Sequence, residues 1–166
     1  ELDHEKVVYL TERYPVLAHK IIEASILEIR PPFPGQFTMI GNFPYNISTQ
    51  IMFLVLDWRE QVERVIGMFQ KEVAVRIASG PGNKDYGILS VMLQAYFKVE
   101  YLFDVDEDSF NPPPKVKSGV ISLQNMGNPY GIRDYRKLLI LVKAAFGQRR
   151  KQLRNPLKAL FPASEL

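Results

Sequence analysis

A strand-like run from Phe37 to Asn42 stops at Asn42-Phe43-Pro44-Tyr45 and gives way, at Ser48 or Thr49, to a segment with helical spacing of Ile51, Met52, Leu54 and Val55. Asn, Pro and Tyr are ordinary turn residues after a strand, and a proline stiffens the carbonyls around it. Related units follow. Arg64 to Phe69 is a strand pattern, and Gln70 to Ser79 carries Val73, Val75 and Ile77 at helical spacing. Ile88 to Tyr96 predicts a further helix, Phe97 to Val105 a strand, and Val116 to Gln124 the last strand. Strands alternating with helices constrain the chain to an α/β sheet with helices on both faces.

Outside this alternation, Glu5 to Arg13 predicts a helix ending before Pro15, and His19 to Ala24, with Ile21 and Ile22, a short buried strand. Arg30 to Gly35 holds three prolines and must be a loop. The turn-rich stretch Gly80 to Asp85 lacks a Gly-Lys-Ser/Thr ending and is not a phosphate-binding P-loop. An acidic, then proline-rich connection runs from Asp104 to Pro114. Asp134 is placed to cap a helix from Tyr135 to Phe146, with Asn155-Pro156 the N-cap and first position of a shorter one. The expected division is a main domain over residues 1–126 and a helical region over 127–166.

The chain has 166 residues, 46% of them hydrophobic, enough for one good core. It has no cysteine, which removes disulfides, thiolate nucleophiles and Cys-based zinc sites. His4 and His19 have no partner at metal-ligand spacing, so no metal site is expected. Apolar runs such as Ile51 to Leu56 are far short of the roughly 20 residues that span a bilayer. No signal peptide opens the chain, so a cytoplasmic monomer is expected and the sequon Asn46-Ile47-Ser48 is expected to stay unglycosylated. Charge is unevenly spread. From Arg133 onward nine basic residues face only Asp134 and Glu165, a net +7, while residues 1–132 carry −4. A basic tail on a mildly acidic body suits a polyanionic partner.

The turn residues also suit a specific chemistry. An exocyclic adenine amine is a poor nucleophile because its lone pair is delocalised into the ring. An Asn side-chain oxygen and a neighbouring main-chain carbonyl can accept both amine hydrogens and aim that lone pair, while Tyr offers a stacking face. Three stretches together, Gly41-Asn42-Phe43-Pro44-Tyr45-Asn46-Ile47-Ser48, then Phe110 to Ser118 (Phe-Asn-Pro-Pro-Pro-Lys-Val-Lys-Ser), then Ala145 to Asn155, resemble in order the signatures of the ribosomal RNA adenine dimethyltransferases.

The resemblance implies a Rossmann-like S-adenosylmethionine-dependent methyltransferase sheet, mostly parallel with an antiparallel final strand, followed by a small basic helical C-terminal region. It implies N6-dimethylation of adenosines in small-subunit ribosomal RNA during ribosome biogenesis, with that RNA or the pre-ribosomal small subunit as partner. Asn42 would orient the amine with help from the Phe43 and Pro44 carbonyls, Tyr45 would stack on one face of the base, and Phe110 would cover the other. Glu1 matches the acid that binds the cofactor ribose, and Asn42 also borders the cofactor. Lys115 and the run Arg149, Arg150, Lys151 with Arg154 would touch RNA phosphates; Lys117 could do so too, although the family often has an acid there. The acidic Asp104, Asp106, Glu107 and Asp108 are expected as solvated charge.

The chain departs from the pattern at Ala24-Ser25, where the family usually has Gly-Asp, and the Gly-rich cofactor turn expected before Glu1 is missing. The resemblance also ends soon after the basic run, so the chain is expected to be a fragment lacking both the N-terminal glycine-rich motif and the end of the C-terminal domain, itself inactive. The departures also motivate an alternative, a non-catalytic RNA-binding assembly factor with the same fold. Residues 1–166 alone should accordingly gain little thermal stability from S-adenosylmethionine. A ligand at a hundred times its Kd would add about 2.7 kcal/mol, so a large melting shift at modest concentration would refute this.

Overall fold

The computed structural model describes residues 1–148 and 151–162, which fall into two compact units, Glu1–Gly35 and Gln36–Leu166. The first unit holds helix α1 (His4–Arg13) and a 3-10 helix over Pro15–Lys20. Asp3 caps α1, its carboxylate accepting from the amides of Glu5 and Lys6. The strand expected over residues 19–24 is not there. Its backbone pairs only briefly: the Glu1 amino group donates to the Ile22 carbonyl at 3.0 Å and the Ala24 amide to the Glu1 carbonyl at 3.1 Å, too few bonds for a ladder. Pro15 starts a 3-10 turn over the first part of the segment, and Ile22 is 50% exposed.

The second unit is built on a four-stranded sheet in the order β1-β2-β4-β3. The strands are β1 (Phe37–Asn42), β2 (Val62–Gln70), β3 (Phe97–Val105) and β4 (Ser118–Asn125). β1 runs parallel to β2, and β4 is antiparallel to both β2 and β3. Three strands therefore share one direction and the last is reversed, as the Rossmann-like expectation has it. β1 and β2 are parallel, so a crossover must join them, and α2 (Ser48–Asp57) supplies it. α3 (Lys71–Ala78) and α4 (Ile88–Gln94) follow β2.

The core comes from the helical and strand periodicities. Ile51, Met52, Val55 and Leu56 line one face of α2 with no exposure, and Val65, Phe69, Ile121 and Leu123 do the same from the two central strands. Each such side chain contributes roughly 1.5–3 kcal/mol by leaving water. Trp58 closes the end of α2 against Phe37 at 6.3 Å between ring centroids.

α5 (Tyr135–Gly147), capped by Asp134 as expected, packs against α4. The Arg59 guanidinium sits 5.0 Å from the ring centres of both Tyr96 and Tyr135, pinning the start of α5 to the end of α4. At its other end Phe146 meets Tyr86 edge-on at 5.8 Å. The last helix, α6 (Arg154–Leu157), begins before Asn155-Pro156, with Leu153 rather than Asn155 at its N-cap; Pro156 is buried instead of opening the helix.

Glycines set the upper end of the sheet. Gly41 and Gly67 are register partners on β1 and β2. The Phe43 ring lies over both, so a Cβ on Gly67 would come within 2.5 Å of Phe43 and 2.7 Å of Phe69. Gly67→Ala should therefore destabilise the fold by about 1–3 kcal/mol through overpacking, read as a lower urea midpoint. A loss below about 0.5 kcal/mol, the ordinary surface range, would show that the ring yields freely.

Candidate active site

The Asn42 to Ser48 turn is held from both sides. Its start continues the sheet, because the Phe43 amide donates to the Met68 carbonyl at 3.2 Å. The Phe43 ring packs 5.3 Å from that of Phe69 and anchors the turn by its side chain while its carbonyl stays in the turn. Tyr45–Ile47 forms a single 3-10 turn, with the Ile47 amide donating to the Pro44 carbonyl at 3.3 Å. Ser48, one of the two residues at which the helical segment was expected to begin, is the first residue of α2; it is 2% exposed, and its hydroxyl donates to the Tyr45 carbonyl at 2.9 Å. The Phe43 carbonyl meets no backbone donor among the described residues, and the exposed Asn42 side-chain amide has no hydrogen-bond partner among them either.

The second wall comes from the connection between β3 and β4. A short 3-10 turn over Glu107–Ser109 ends at the half-buried Phe110, and the Asn111-Pro112 peptide that follows is cis. Asn42, Phe43, Pro44, Tyr45, Phe110, Pro112 and Pro114 together line one cavity of about 290 Å³. The sequence separates Tyr45 from Phe110 by 65 positions; the β2-β4-β3 arrangement brings the two loops to the same sheet end. In open α/β sheets that end is where ligands bind.

The acidic run before Phe110 is exposed, as expected of solvated charge, and two of its members are also paired. Asp104 accepts from Lys71 Nζ at 2.5 Å and from the Tyr101 hydroxyl, and Asp106 pairs with Lys117 Nζ at 2.7 Å. The Lys71 and Tyr101 bonds hold the Asp104 carboxyl below the usual carboxylate range. Burial, then the hydrogen bond to Asp104, pushes the Tyr101 phenol up to about 12. Lys117 is held above its ordinary value by the Asp106 carboxylate, so it is engaged at the loop base. Glycine is needed opposite Tyr101, since a Cβ on Gly119 would overlap the phenol oxygen.

Lys115, Lys151 and Arg154 are exposed, as a phosphate contact requires, whereas Arg149 and Arg150 lie outside the described residues. Sequence reasoning did not group three further cations: Arg76, Lys84 and Lys143 line a cleft of about 520 Å³ with Thr49, Phe53 and Phe146. They lie on separate elements, so no local pattern joins them. Among the described residues there is no cluster of three potential metal ligands and no helix long and apolar enough to cross a membrane.

A cofactor ribose needs acceptors for its hydroxyls. Oε1 of Glu1 accepts from the amides of Leu2 and Asp3 at 3.1 Å each, and the Asp3 bond foremost holds the carboxyl below its ordinary range. Oε2 takes no such bond among the described residues, so one oxygen of an ionised carboxylate stays available. Ser25 Oγ is turned onto its own chain, accepting from the Leu27 amide at 3.3 Å. Taken residue by residue, the acceptors at Glu1 and at Asn42 fit groups of S-adenosylmethionine, and Ser25 adds nothing to them.

The family model of ribosomal RNA adenine dimethylase matches residues 10–166. The chain belongs to this family. Among its relatives is ribosomal RNA small subunit methyltransferase A of Porphyromonas gingivalis, 52% identical over 98% of this chain and 65% of the relative. The protein of that name from Cytophaga hutchinsonii is 50% identical over 96% of this chain and 63% of its own length. The family member described here thus spans less than two thirds of these relatives. A dimethyladenosine transferase from Plasmodium falciparum superposes with a TM-score of 0.82 at 25% identity, over 95% of this chain and 57% of that one. The 23S rRNA methyltransferase ErmE, at 24% identity and a TM-score of 0.73 over 99% of this chain and 66% of that one, shares the fold.

The Tyr101–Asp104 pair gives this dimethylase-family chain a measurable signature. Its raised pKa favours the neutral phenol in the folded state, so the stability it contributes is complete below the ordinary value of about 10 and is lost as pH rises through about 12. In an alkaline absorbance titration of the eight tyrosines, the difference between wild type and Tyr101→Phe should have its midpoint near 12. A difference centred near the ordinary value, in protein still folded by circular dichroism, would disprove the pairing.

Proposed function

We propose that the full-length protein carrying this chain is an S-adenosylmethionine-dependent adenine N6-dimethyltransferase of small-subunit ribosomal RNA, acting in ribosome biogenesis. The convergence of Asn42, Tyr45 and Phe110 on one cavity at the sheet end carries the reading. Family membership, and the names of relatives that are half identical in sequence, support the choice of small-subunit RNA.

S-adenosylmethionine, when bound, supplies the methyl group as a sulfonium; in the sheet unit Asn42 would border it, and the family resemblance gives Glu1 the role of accepting from its ribose hydroxyls. The Asn42 side-chain oxygen and the Phe43 carbonyl accept the two amine hydrogens, turning the nitrogen lone pair out of the ring plane. Tyr45 and Phe110 sandwich the base that has been drawn out of its stack, while Pro112 and Pro114 limit the freedom of the Phe110 loop. No strong base is needed, because the methylated nitrogen carries positive charge and its proton leaves to water. The same geometry admits the singly methylated amine for a second round. Lys115, Arg149, Arg150, Lys151 and Arg154, together with Arg76, Lys84 and Lys143, grip RNA backbone in a salt-sensitive, sequence-independent way. Residues 127–166 would then act chiefly as the RNA-gripping region and 1–126 as the catalytic one. Recognition of the site then rests on RNA shape.

Labelled methyl transfer by the full-length protein should favour small-subunit over large-subunit RNA; transfer to large-subunit RNA alone would overturn the substrate assignment. Asn42→Ala should cut kcat by about 100-fold through lost orientation. Phe110→Ala removes one stacking face, worth ~1–3 kcal/mol, and should cost roughly tenfold to a hundredfold in kcat/KM. If wild type never transfers methyl while Asn42→Ala supports ribosome assembly as well as wild type does, the protein is instead a non-catalytic assembly factor.

A further inference from the structure

We infer that Ser118 is a positioning residue for the base-stacking tyrosine, tying both walls of the cavity to one point of the sheet. The inference rests on the proposed base sandwich. Ser118 is the first residue of β4 and has no exposure. Its backbone is in register with Gln70 of β2 on one side and Val105 of β3 on the other, so it sits in the interior of the sheet. Its Oγ lies 2.5 Å from the Tyr45 hydroxyl, with either oxygen able to donate. No buried side-chain nitrogen or oxygen among the described residues lacks a partner, so this bond satisfies the Ser118 hydroxyl.

The topology gives the bond its consequence. The loop that carries Phe110 leaves the sheet after Val105 and re-enters it at Ser118, and these two residues face each other across the β3-β4 ladder. The post that closes the Phe110 loop is thereby the same residue that holds the Tyr45 ring by its far end. A tyrosine tethered only at its Cα turns about two side-chain torsions; tethered at its hydroxyl as well, it presents a fixed face before a base arrives. The Lys71 amide, donating to the Lys117 carbonyl at 2.9 Å, holds the adjoining backbone in place. Ser118 does not reach the reacting atoms. Its effect passes through Tyr45, and loss of the serine hydroxyl and loss of the phenol oxygen remove the same bond.

The test compares wild type, Ser118→Ala, Tyr45→Phe and the double variant in the full-length protein. With small-subunit ribosomal RNA as substrate, each single variant should lose roughly tenfold in kcat through lost orientation, with KM for RNA changed by less than about twofold. The double variant should be no worse than either single one. Single-variant losses that multiply in the double, or a Ser118→Ala kcat within about twofold of wild type, would overturn the inference. A second measurement does not depend on activity: 3-fluorotyrosine at position 45 should give a fluorine resonance displaced from that of the free amino acid, and Ser118→Ala should move it toward the free value. An unmoved resonance also overturns the inference. A resonance that moves in a protein showing no methyl transfer would leave the anchor standing and remove the proposed activity.

Discussion

The seating of one phenylalanine ring on two facing glycines governs how this chain presents its turn. Phe43 covers Gly41 and Gly67 and lies against Phe69. A side chain on either glycine would lift the ring, and the ring is joined to the backbone that carries the Asn42 side chain and the Phe43 carbonyl. Interiors pack at crystal-like density, so a displaced ring moves its own backbone. The placement of polar acceptors at the mouth of the cavity thus depends on an apolar contact beneath it.

The sheet order supplies the other half of the arrangement. β4 is inserted between β2 and β3 in the reversed direction. Its first residue, Ser118, therefore lies at the same end of the sheet as the last residues of β1 and β3, and the loops after β1 and β3 meet there. The charged side chains at that end serve the loop as much as any ligand: Asp104 is engaged by Lys71 and Tyr101, and Asp106 by Lys117. These pairs are largely exposed, where an ion pair contributes little to stability. Their effect is on where the base of the Phe110 loop sits.

Much of this was legible in the residues, for reasons that differ by element. β1, β3 and α2 follow from short-range patterning, since alternating or helical spacing of apolar residues reports the face each will bury. The strand expected at residues 19–24 is reduced to one pairing with Glu1, because an apolar pair such as Ile21-Ile22 says nothing about how many neighbouring residues will take its hydrogen bonds. The start of α6 was misplaced because Pro156 lies at the third position of the helix, still within the first turn where its missing amide leaves no bond unmade, so the proline does not fix which residue comes first. The pairing of Asp104 and Asp106 was hidden for another reason. Lys71 is 33 positions from Asp104, a separation that no local pattern spans.

By itself the amino-acid sequence determined the class of fold, the family, and the residue types needed to aim an amine and stack on a base, because those are written in local spacing and in short runs of fixed chemistry. Only the tertiary structure decided that Tyr45 and Phe110 share one cavity, that Phe43 contributes its ring to the sheet and its carbonyl to the turn, and that a buried serine 73 positions away holds the tyrosine hydroxyl. The physical reason is that hydrogen bonds and ring contacts act over a few ångströms in space whatever their separation along the chain, and the register of β4 between its two neighbours is what brings those distant residues within reach.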